Sequence, residues 1–162
     1  MVRIVSIGEC MVELAPLDNA GEFHLGYAGD TLNTAWYLRR LLDSVDQVDY
    51  FTAVGMDSVS DQMLDFLRIS GIGTSGILRC ADKSVGLYMI HLQDGERSFA
   101  YWRSDSAART LAADPLPLQA SLTEADLAYF SGITLAILPS TDRLRFLACC
   151  QHFSYGIDYN LV

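Results

Sequence analysis

Apolar residues along the chain form short runs typical of buried strands, separated by stretches with helical spacing. Residues 2–7 are a β-branched run that ends at Gly8 and predict the first core strand. Further core strands are predicted at residues 50–54, 127–130 and 153–157. Because strands and helices alternate, we expect a parallel sheet.

Three helices are predicted between these strands. The first follows Gly29 and runs to about Leu42, with Asp30 or Thr31 as its N-cap. In the second, Ser58 and Asp61 have the spacing of a capping box, and Gly71 ends the helix. The third covers residues 140–150.

Two pairs of short strands predict a second, smaller sheet. Residues 10–14 and 23–27 are separated by a turn-rich segment, and residues 87–92 and 98–102 by the turn signal Asp94-Gly95. We expect the two pairs to join as a small antiparallel β lid, with strands near residues 10–27 and 86–102. A cleft between two such sheets is a typical place for a small ligand.

Composition narrows the class of protein. The 162 residues include 20 acidic and 11 basic side chains, and 51% are apolar, which indicates one globular domain, residues 1–162. A net charge of −9 argues against nucleic acid as a partner. No apolar run reaches the roughly 18 residues of a membrane span, and the amino terminus lacks a signal peptide, so we expect a cytoplasmic protein. The four cysteines form neither a disulfide framework nor a metal site.

The segment 27–33 is a first candidate for ligand binding. A glycine turn leads there into the first turn of a helix, where free backbone N–H groups and short polar side chains occur together. Asn33 can both donate and accept hydrogen bonds, as a ligand rich in hydroxyl groups requires. A capped helix start with a solvated Asn33 is the alternative interpretation.

The segment 99–103 is a second candidate. Strand alternation places Tyr101 and Arg103 on one face and Trp102 on the other, and Tyr88 lies on the neighbouring strand. Arginine suits the bidentate capture of a carboxylate. A surface patch of cross-strand contacts is the alternative here.

Six segments in order resemble the ribokinase-like (PfkB) carbohydrate kinases, and within them the kinases of the sugar acid 2-keto-3-deoxygluconate. The segments are IGECMVEL, AGDTLNTAWYLRRL, TAVGMDSVSDQML, GLYMI, YWRSDSAA and SGITLAIL. The resemblance implies a ribokinase-like, Rossmann-type parallel core with a β lid. It also implies transfer of the γ-phosphoryl group of ATP, carried with Mg²⁺, to the C6 hydroxyl of the sugar acid.

The resemblance assigns roles to six residues. It places Gly29, Asp30 and Asn33 in the sugar-binding motif, and it makes Tyr88, Tyr101 and Arg103 lid residues that hold the sugar acid, with Arg103 facing the carboxylate. A fructokinase-like specificity and a non-catalytic sugar-binding remnant are the alternatives. A neutral sugar would leave the cation of Arg103 without a partner, which favours an acid.

Family members are nearly twice as long, so the resemblance implies that the carboxy-terminal half is missing. That half carries a G-A-G-D-type motif with the general base. We therefore expect no catalytic residue, no metal ligand and no tight ATP binding in this chain, which should be inactive alone. Residues 158–162 resemble a D-x-N-x-R element, but Val162 replaces the arginine.

The lid is also a predicted dimer contact. It has more apolar side chains than one sheet face can use, and the resemblance implies a homodimer formed through lids. The apolar side chains are Val12, Leu14, Phe23, Leu25, Leu87, Met89 and Phe99.

Overall fold

The computed structural model describes residues 1–93 and 95–151, and the backbone of residues 155–158. In chain order the elements are β1 (Arg3–Ile7), β2 (Met11–Pro16), β3 (Phe23–Ala28), α1 (Asp30–Leu41), β4 (Gln47–Phe51), β5 (Ala53–Gly55), α2 (Ser58–Ile69), β6 (Leu78–Cys80), β7 (Gly86–Gln93), β8 (Glu96–Trp102), α3 (Pro115–Leu122), β9 (Leu127–Ser131), α4 (Gly132–Ile137), α5 (Ser140–Cys150) and β10 (Tyr155–Asp158).

The central layer is a parallel sheet with the strand order β10-β9-β1-β4. Ile7 of β1 pairs with Phe51 on one side and Phe130 on the other. Both faces of the sheet are covered, as is usual for parallel sheets. The predicted α/β fold with a parallel core is confirmed.

Two hydrophobic clusters lie on opposite faces of the central sheet. Helices α1 and α2 cover one face, where Tyr50 of β4 is fully buried. Helices α3 and α5 cover the other, where Phe146 packs edge-on against Phe130 at 4.9 Å between ring centroids. Successive residues of a strand point to opposite faces, so Tyr50 and its neighbour Phe51 belong to different clusters.

The predicted strand at residues 50–54 is two strands. The chain leaves the central sheet after Phe51, and β5 pairs with β6 in a separate two-stranded parallel sheet. Thr52 lies in the chain between β4 and β5, and its carbonyl oxygen accepts a hydrogen bond from the backbone N–H of Leu78 at 2.9 Å. An unbroken apolar run does not reveal a change of pairing partner, because every residue of it stays buried.

The starts of two helices also differ from the predictions. The N-cap of α1 is Gly29, not Asp30 or Thr31, and it has no capping side chain. The N-cap of α2 is Asp57, whose carboxylate accepts from the backbone N–H of Ser60 at 2.9 Å. An aspartate at this position satisfies the free N–H group itself, so the predicted capping box from Ser58 does not form.

The lid is a second sheet with the strand order β3-β2-β7-β8. The hairpins β2–β3 and β7–β8 are antiparallel, as predicted, and Gly95 has the positive φ of a tight turn. Strands β2 and β7 join the hairpins in parallel, which makes the sheet mixed rather than antiparallel. Strands β2 and β7 are the first strands of their hairpins, and both start at the same edge of the sheet, with Met11 opposite Gly86. They therefore run in the same direction.

Strand β10 covers most of the last predicted core strand and pairs with β9 in parallel. Phe153 and Ser154, which the prediction included, lie outside the described residues, as do Asp94 and Val162. Within the described part of the chain, no helix is long and apolar enough to cross a membrane.

Candidate functional site

A cavity of about 300 Å³ lies between the lid and the carboxyl ends of β1 and β9. Ligand sites of parallel α/β proteins are usually found at this end of the strands. The residues that line it are Glu9, Met11, Ala28, Gly29, Asp30, Asn33, Tyr88, Phe99, Tyr101, Arg103 and Ile133. The structure thus brings all six predicted site residues to one cavity, and their role in binding a sugar acid stays a prediction.

The turn before α1 forms the core side of the cavity. Gly29 has an extended backbone, with φ at 172°, so its conformation does not require glycine. Close packing does, because a Cβ atom would overlap the carbonyl oxygen of Glu9. The turn at Gly29 is therefore packed directly on the residues that follow β1.

Two polar side chains at the start of α1 are available to a ligand. Asn33 is exposed, and its side chain has no hydrogen-bond partner among the described residues. Asp30 accepts a hydrogen bond from the N–H of Thr31 at 2.8 Å through one carboxylate oxygen. The second oxygen of Asp30 and the amide of Asn33 can serve ligand hydroxyl groups.

Three aromatic side chains form the lid side of the cavity. Tyr88, Phe99 and Tyr101 lie 5.9–6.2 Å apart between ring centroids. They share one face of the lid. Side chains two positions apart in a strand point to the same side, as Phe99 and Tyr101 do, and Tyr88 is the register partner of Tyr101. Phe99, which was counted among the apolar side chains of the predicted dimer contact, lies on the cavity face.

Glu13 determines what Tyr88 can offer a ligand. The Tyr88 hydroxyl donates a hydrogen bond to the Glu13 carboxylate, its register partner on β2. Burial and this hydrogen bond raise the pKa of Tyr88 well above the usual value. The hydroxyl therefore stays protonated, donates its hydrogen bond to Glu13 and presents its oxygen to the cavity as an acceptor.

Arg103 is paired with an acidic residue at the base of the lid. Its Nη2 atom lies 2.5 Å from Oε2 of Glu9, an ion pair in which neither atom has a hydrogen-bond partner among the described residues. Ser106 donates to the other oxygen, Oε1. The Glu9 side chain is 2% exposed and the Arg103 side chain 25%. The guanidinium carbon also lies 5.9 Å from the ring centre of Tyr101.

Glu9, Glu13 and Ser106 were not predicted as site residues. One signal was available, since Glu9 follows the first parallel strand and the carboxyl ends of such strands carry ligand sites. No comparable signal links Ser106 to Glu9, because 97 residues separate them.

Two larger cavities are also lined by polar side chains, but neither is lined by the turn before α1. One of about 820 Å³ lies at the amino ends of β1 and β4, where Arg3 is paired with Asp49 and Glu124. Another of about 760 Å³ lies beside the loop after β8, where Lys83 is paired with Asp105. The described residues contain no cluster of three metal-binding side chains, and the four cysteines are free thiols.

A parallel α/β core with a polar cavity beneath a β lid defines a class of small-molecule-binding protein. The family model for pfkB family carbohydrate kinases matches residues 1–155. The chain belongs to this family.

Among curated proteins, the chain is 46% identical over 147 residues to the 2-dehydro-3-deoxygluconokinase of Haemophilus influenzae, with 88% of this chain and 46% of that protein covered. It is 42% identical over 150 residues to the same enzyme of Dickeya dadantii, covering 90% and 47%. Fructokinase-1 of Zea mays is 26% identical, covering 97% and 50%. The chain thus spans about half the length of the curated relatives it matches.

Solved structures support the fold. The 2-dehydro-3-deoxygluconokinase of Thermotoga maritima matches with a TM-score of 0.84 at 22% identity, over 100% of this chain and 52% of that one. The fructokinase of Xylella fastidiosa matches with a TM-score of 0.75 at 22% identity, over 98% and 51%. At these identities the likeness concerns the fold alone.

Proposed function

We propose that the chain forms the sugar-acid-binding part of a kinase that transfers the γ-phosphoryl group of ATP to the C6 hydroxyl of 2-keto-3-deoxygluconate, also called 2-dehydro-3-deoxygluconate. The observation that carries the proposal is Arg103, a cation beside a cavity lined by hydroxyl-binding groups. The identity of 46% to the Haemophilus influenzae enzyme supports this substrate.

The residues of this chain bind and orient the sugar acid in the proposed reaction. Arg103 binds the carboxylate, and Asp30 and Asn33 bind hydroxyl groups at the start of α1. Tyr88 accepts a hydrogen bond, while Phe99 and Tyr101 exclude water from the bound sugar. ATP, with Mg²⁺, supplies the phosphoryl group.

We place the general base and the nucleotide site in the second half of the complete kinase. The described cavity contains the carboxylates of Glu9 and Asp30, but Glu9 is occupied by Arg103 and Ser106, and we assign Asp30 to hydroxyl binding. No cluster suited to Mg²⁺ occurs in the described residues. The chain alone is therefore expected to bind neither ATP nor Mg²⁺ tightly and to have no kinase activity.

A neutral sugar is the second candidate substrate, and the ion pair between Glu9 and Arg103 makes its binding less unfavourable. Because Glu9 already neutralises Arg103, a neutral sugar would not leave the cation without a partner. The electrostatic argument against a fructokinase-like specificity is thus weaker than the sequence suggests. Identity of 26% to the Zea mays fructokinase, against 46% to the sugar-acid enzyme, favours the acid.

We further propose a homodimer formed through the outer face of the lid, acting in the cytoplasm, where ATP is available. The strand pairing aligns Val12 with Leu87 and Leu14 with Met89 on the face opposite the cavity. Phe23 and Leu25 extend that face and are 37% and 44% exposed. Pairing through it would leave the cavity open to substrate.

Kinase assays on a fusion of this chain to the second half of the Haemophilus influenzae relative test the proposal. We expect ATP-dependent phosphorylation of 2-keto-3-deoxygluconate, with kcat/KM well above that for fructose. A fusion that prefers fructose would establish the neutral-sugar alternative. A folded fusion without activity on either sugar would support a non-catalytic remnant.

A further inference from the structure

Glu9 lies against the turn before α1 and against both ends of the hairpin β7–β8. Its backbone carbonyl packs against Gly29 at the turn before α1. Its Oε1 atom accepts from Ser106 and would lie 2.9 Å from a Cβ atom on Gly86, at the start of β7. Its Oε2 atom pairs with Arg103, just after β8. One side chain thus joins the core to both ends of the second lid hairpin.

Burial makes the partnership between Glu9 and Arg103 mutually necessary. A carboxylate that is almost completely buried costs several kcal/mol unless a counter-charge and hydrogen bonds accompany it. Arg103 and Ser106 supply both. Arg103 in turn is a long side chain with several rotamers, and the ion pair restricts it to an orientation beside the cavity.

We propose that Glu9 is a positioning residue: it holds the guanidinium of Arg103 so that the remaining N–H groups meet the carboxylate of the sugar acid. The inference rests on the proposed function. Glu9 acts through Arg103 and determines preference for an acid over a neutral sugar of the same shape. Because the ion pair is neutral in total, binding depends on the geometry of the guanidinium more than on net attraction.

Glu9 could also have the opposite effect and weaken the binding of the acid. Its negative charge also repels a ligand carboxylate bound to the same guanidinium. If repulsion dominated, removal of the Glu9 charge would tighten binding of the acid. If positioning dominates, removal frees Arg103 to turn toward solvent, and binding must then pay the entropy of reordering it.

Two ligands separate these effects. 2-Keto-3-deoxygluconate carries the carboxylate, and 3-deoxyfructose has a primary alcohol in its place. Affinities of both ligands are measured by calorimetry on the 162-residue chain and its variants. We expect Glu9→Gln to weaken binding of the acid about tenfold and to change that of 3-deoxyfructose less than about twofold. Glu9→Asp, which keeps the charge on a shorter side chain, should weaken acid binding less.

Asp105→Asn is the matched control. It also removes one negative charge, two residues after Arg103 in the sequence, but Asp105 is 82% exposed and pairs with Lys83. We expect both affinities to stay as in the wild type. An equal loss in this variant would mean that net charge, not the contact with Arg103, sets acid affinity.

The outcomes distinguish failure of this inference from failure of the proposed function. A wild-type chain that binds no sugar acid overturns both. A wild-type chain that binds the acid, with Glu9→Gln binding it equally or more tightly, overturns the positioning role alone. Equal losses for acid and neutral ligand would show a purely structural role.

Should Glu9→Gln lack a cooperative thermal transition, Ser106→Ala provides the test. This change removes the hydrogen bond that Glu9 accepts from Ser106 and leaves every charge in place. We expect a severalfold loss of acid affinity with 3-deoxyfructose unaffected. An unchanged ratio of the two affinities would contradict the inference.

Discussion

The hydroxyl of Tyr88 is bound to the carboxylate of Glu13 across the parallel pairing of β2 and β7. The contact joins the two lid hairpins on the face that covers the cavity. It also places a phenol of raised pKa beside the proposed sugar site. The ionisation of Tyr88 should therefore affect the stability of the protein at alkaline pH.

Tyr88 should ionise at a higher pH in the folded protein than in the unfolded chain. Burial and the hydrogen bond to Glu13 raise its pKa in the folded state above that in the unfolded chain. Its stabilising contribution is therefore complete below about pH 10 and is lost at higher pH, where the unfolded state releases the proton. Denaturant unfolding across alkaline pH should show a shallower decline for Tyr88→Phe than for the wild type. Equal slopes would contradict the raised pKa.

Gly29→Ala should destabilise the protein and impair ligand binding, because its Cβ overlaps the carbonyl oxygen of Glu9. We expect a loss of about 1–3 kcal/mol in the free energy of unfolding, measured with denaturant. Gly26→Ala in β3 is the control, since a Cβ there meets nothing closer than 3.9 Å. An Ala at position 29 that is tolerated as well as one at position 26 would refute the packing argument.

Arg103→Lys should weaken binding of 2-keto-3-deoxygluconate. A lysine keeps the charge but cannot form the two-pronged contact with a carboxylate, so we expect a loss of about tenfold in affinity. Arg68→Lys, at an exposed ion pair with Asp65 on α2, should have no effect. Calorimetric titration of both variants checks this, and unchanged affinity for Arg103→Lys would remove Arg103 from the site.

The 162-residue chain should release no ADP when mixed with ATP, Mg²⁺ and 2-keto-3-deoxygluconate. The reason is the expected position of the general base and nucleotide site in the second half of the kinase. A coupled assay compares the chain with the fusion described above. Sugar-dependent turnover by the chain alone would show that a residue within it acts as the base.

A charge on the outer face of the lid should separate the proposed dimer. Leu25→Glu introduces a carboxylate among apolar side chains of that face, and an unpaired buried charge disfavours association. Sedimentation of the fusion at micromolar concentration should change from dimer to monomer. Leu41→Glu, at an exposed position of α1, should leave the dimer intact. A wild-type monomer would refute lid pairing.

The sequence predicts those parts of the fold that depend on local patterns. The β-branched run of β1 and the turn at Gly95 are recognisable because their signals lie within a few residues. The break at Thr52 is not, because both strands beside it are buried and differ only in their partners. The parallel pairing within the lid could not be predicted either, because it joins Met11 to Gly86, which are distant in the sequence.

The candidate site divides in the same way. Residues with the right chemistry, such as Asn33 and Arg103, are visible in the sequence from their types and spacing. The partners that orient them are not: Glu13 is 75 residues from Tyr88. Phe99 was counted toward the predicted dimer contact, whereas strand alternation relative to Tyr101 places it on the cavity face.

The lid is made of two hairpins that each leave the core and return to it, through turns at the tip of the sheet. Insertions or deletions at those turns change the height of the wall above the cavity without altering a single pairing in the central sheet. Loops of this kind tolerate length variation far better than core strands do. The depth of the cavity can therefore change through the lid turns while the pairing of the central sheet is preserved.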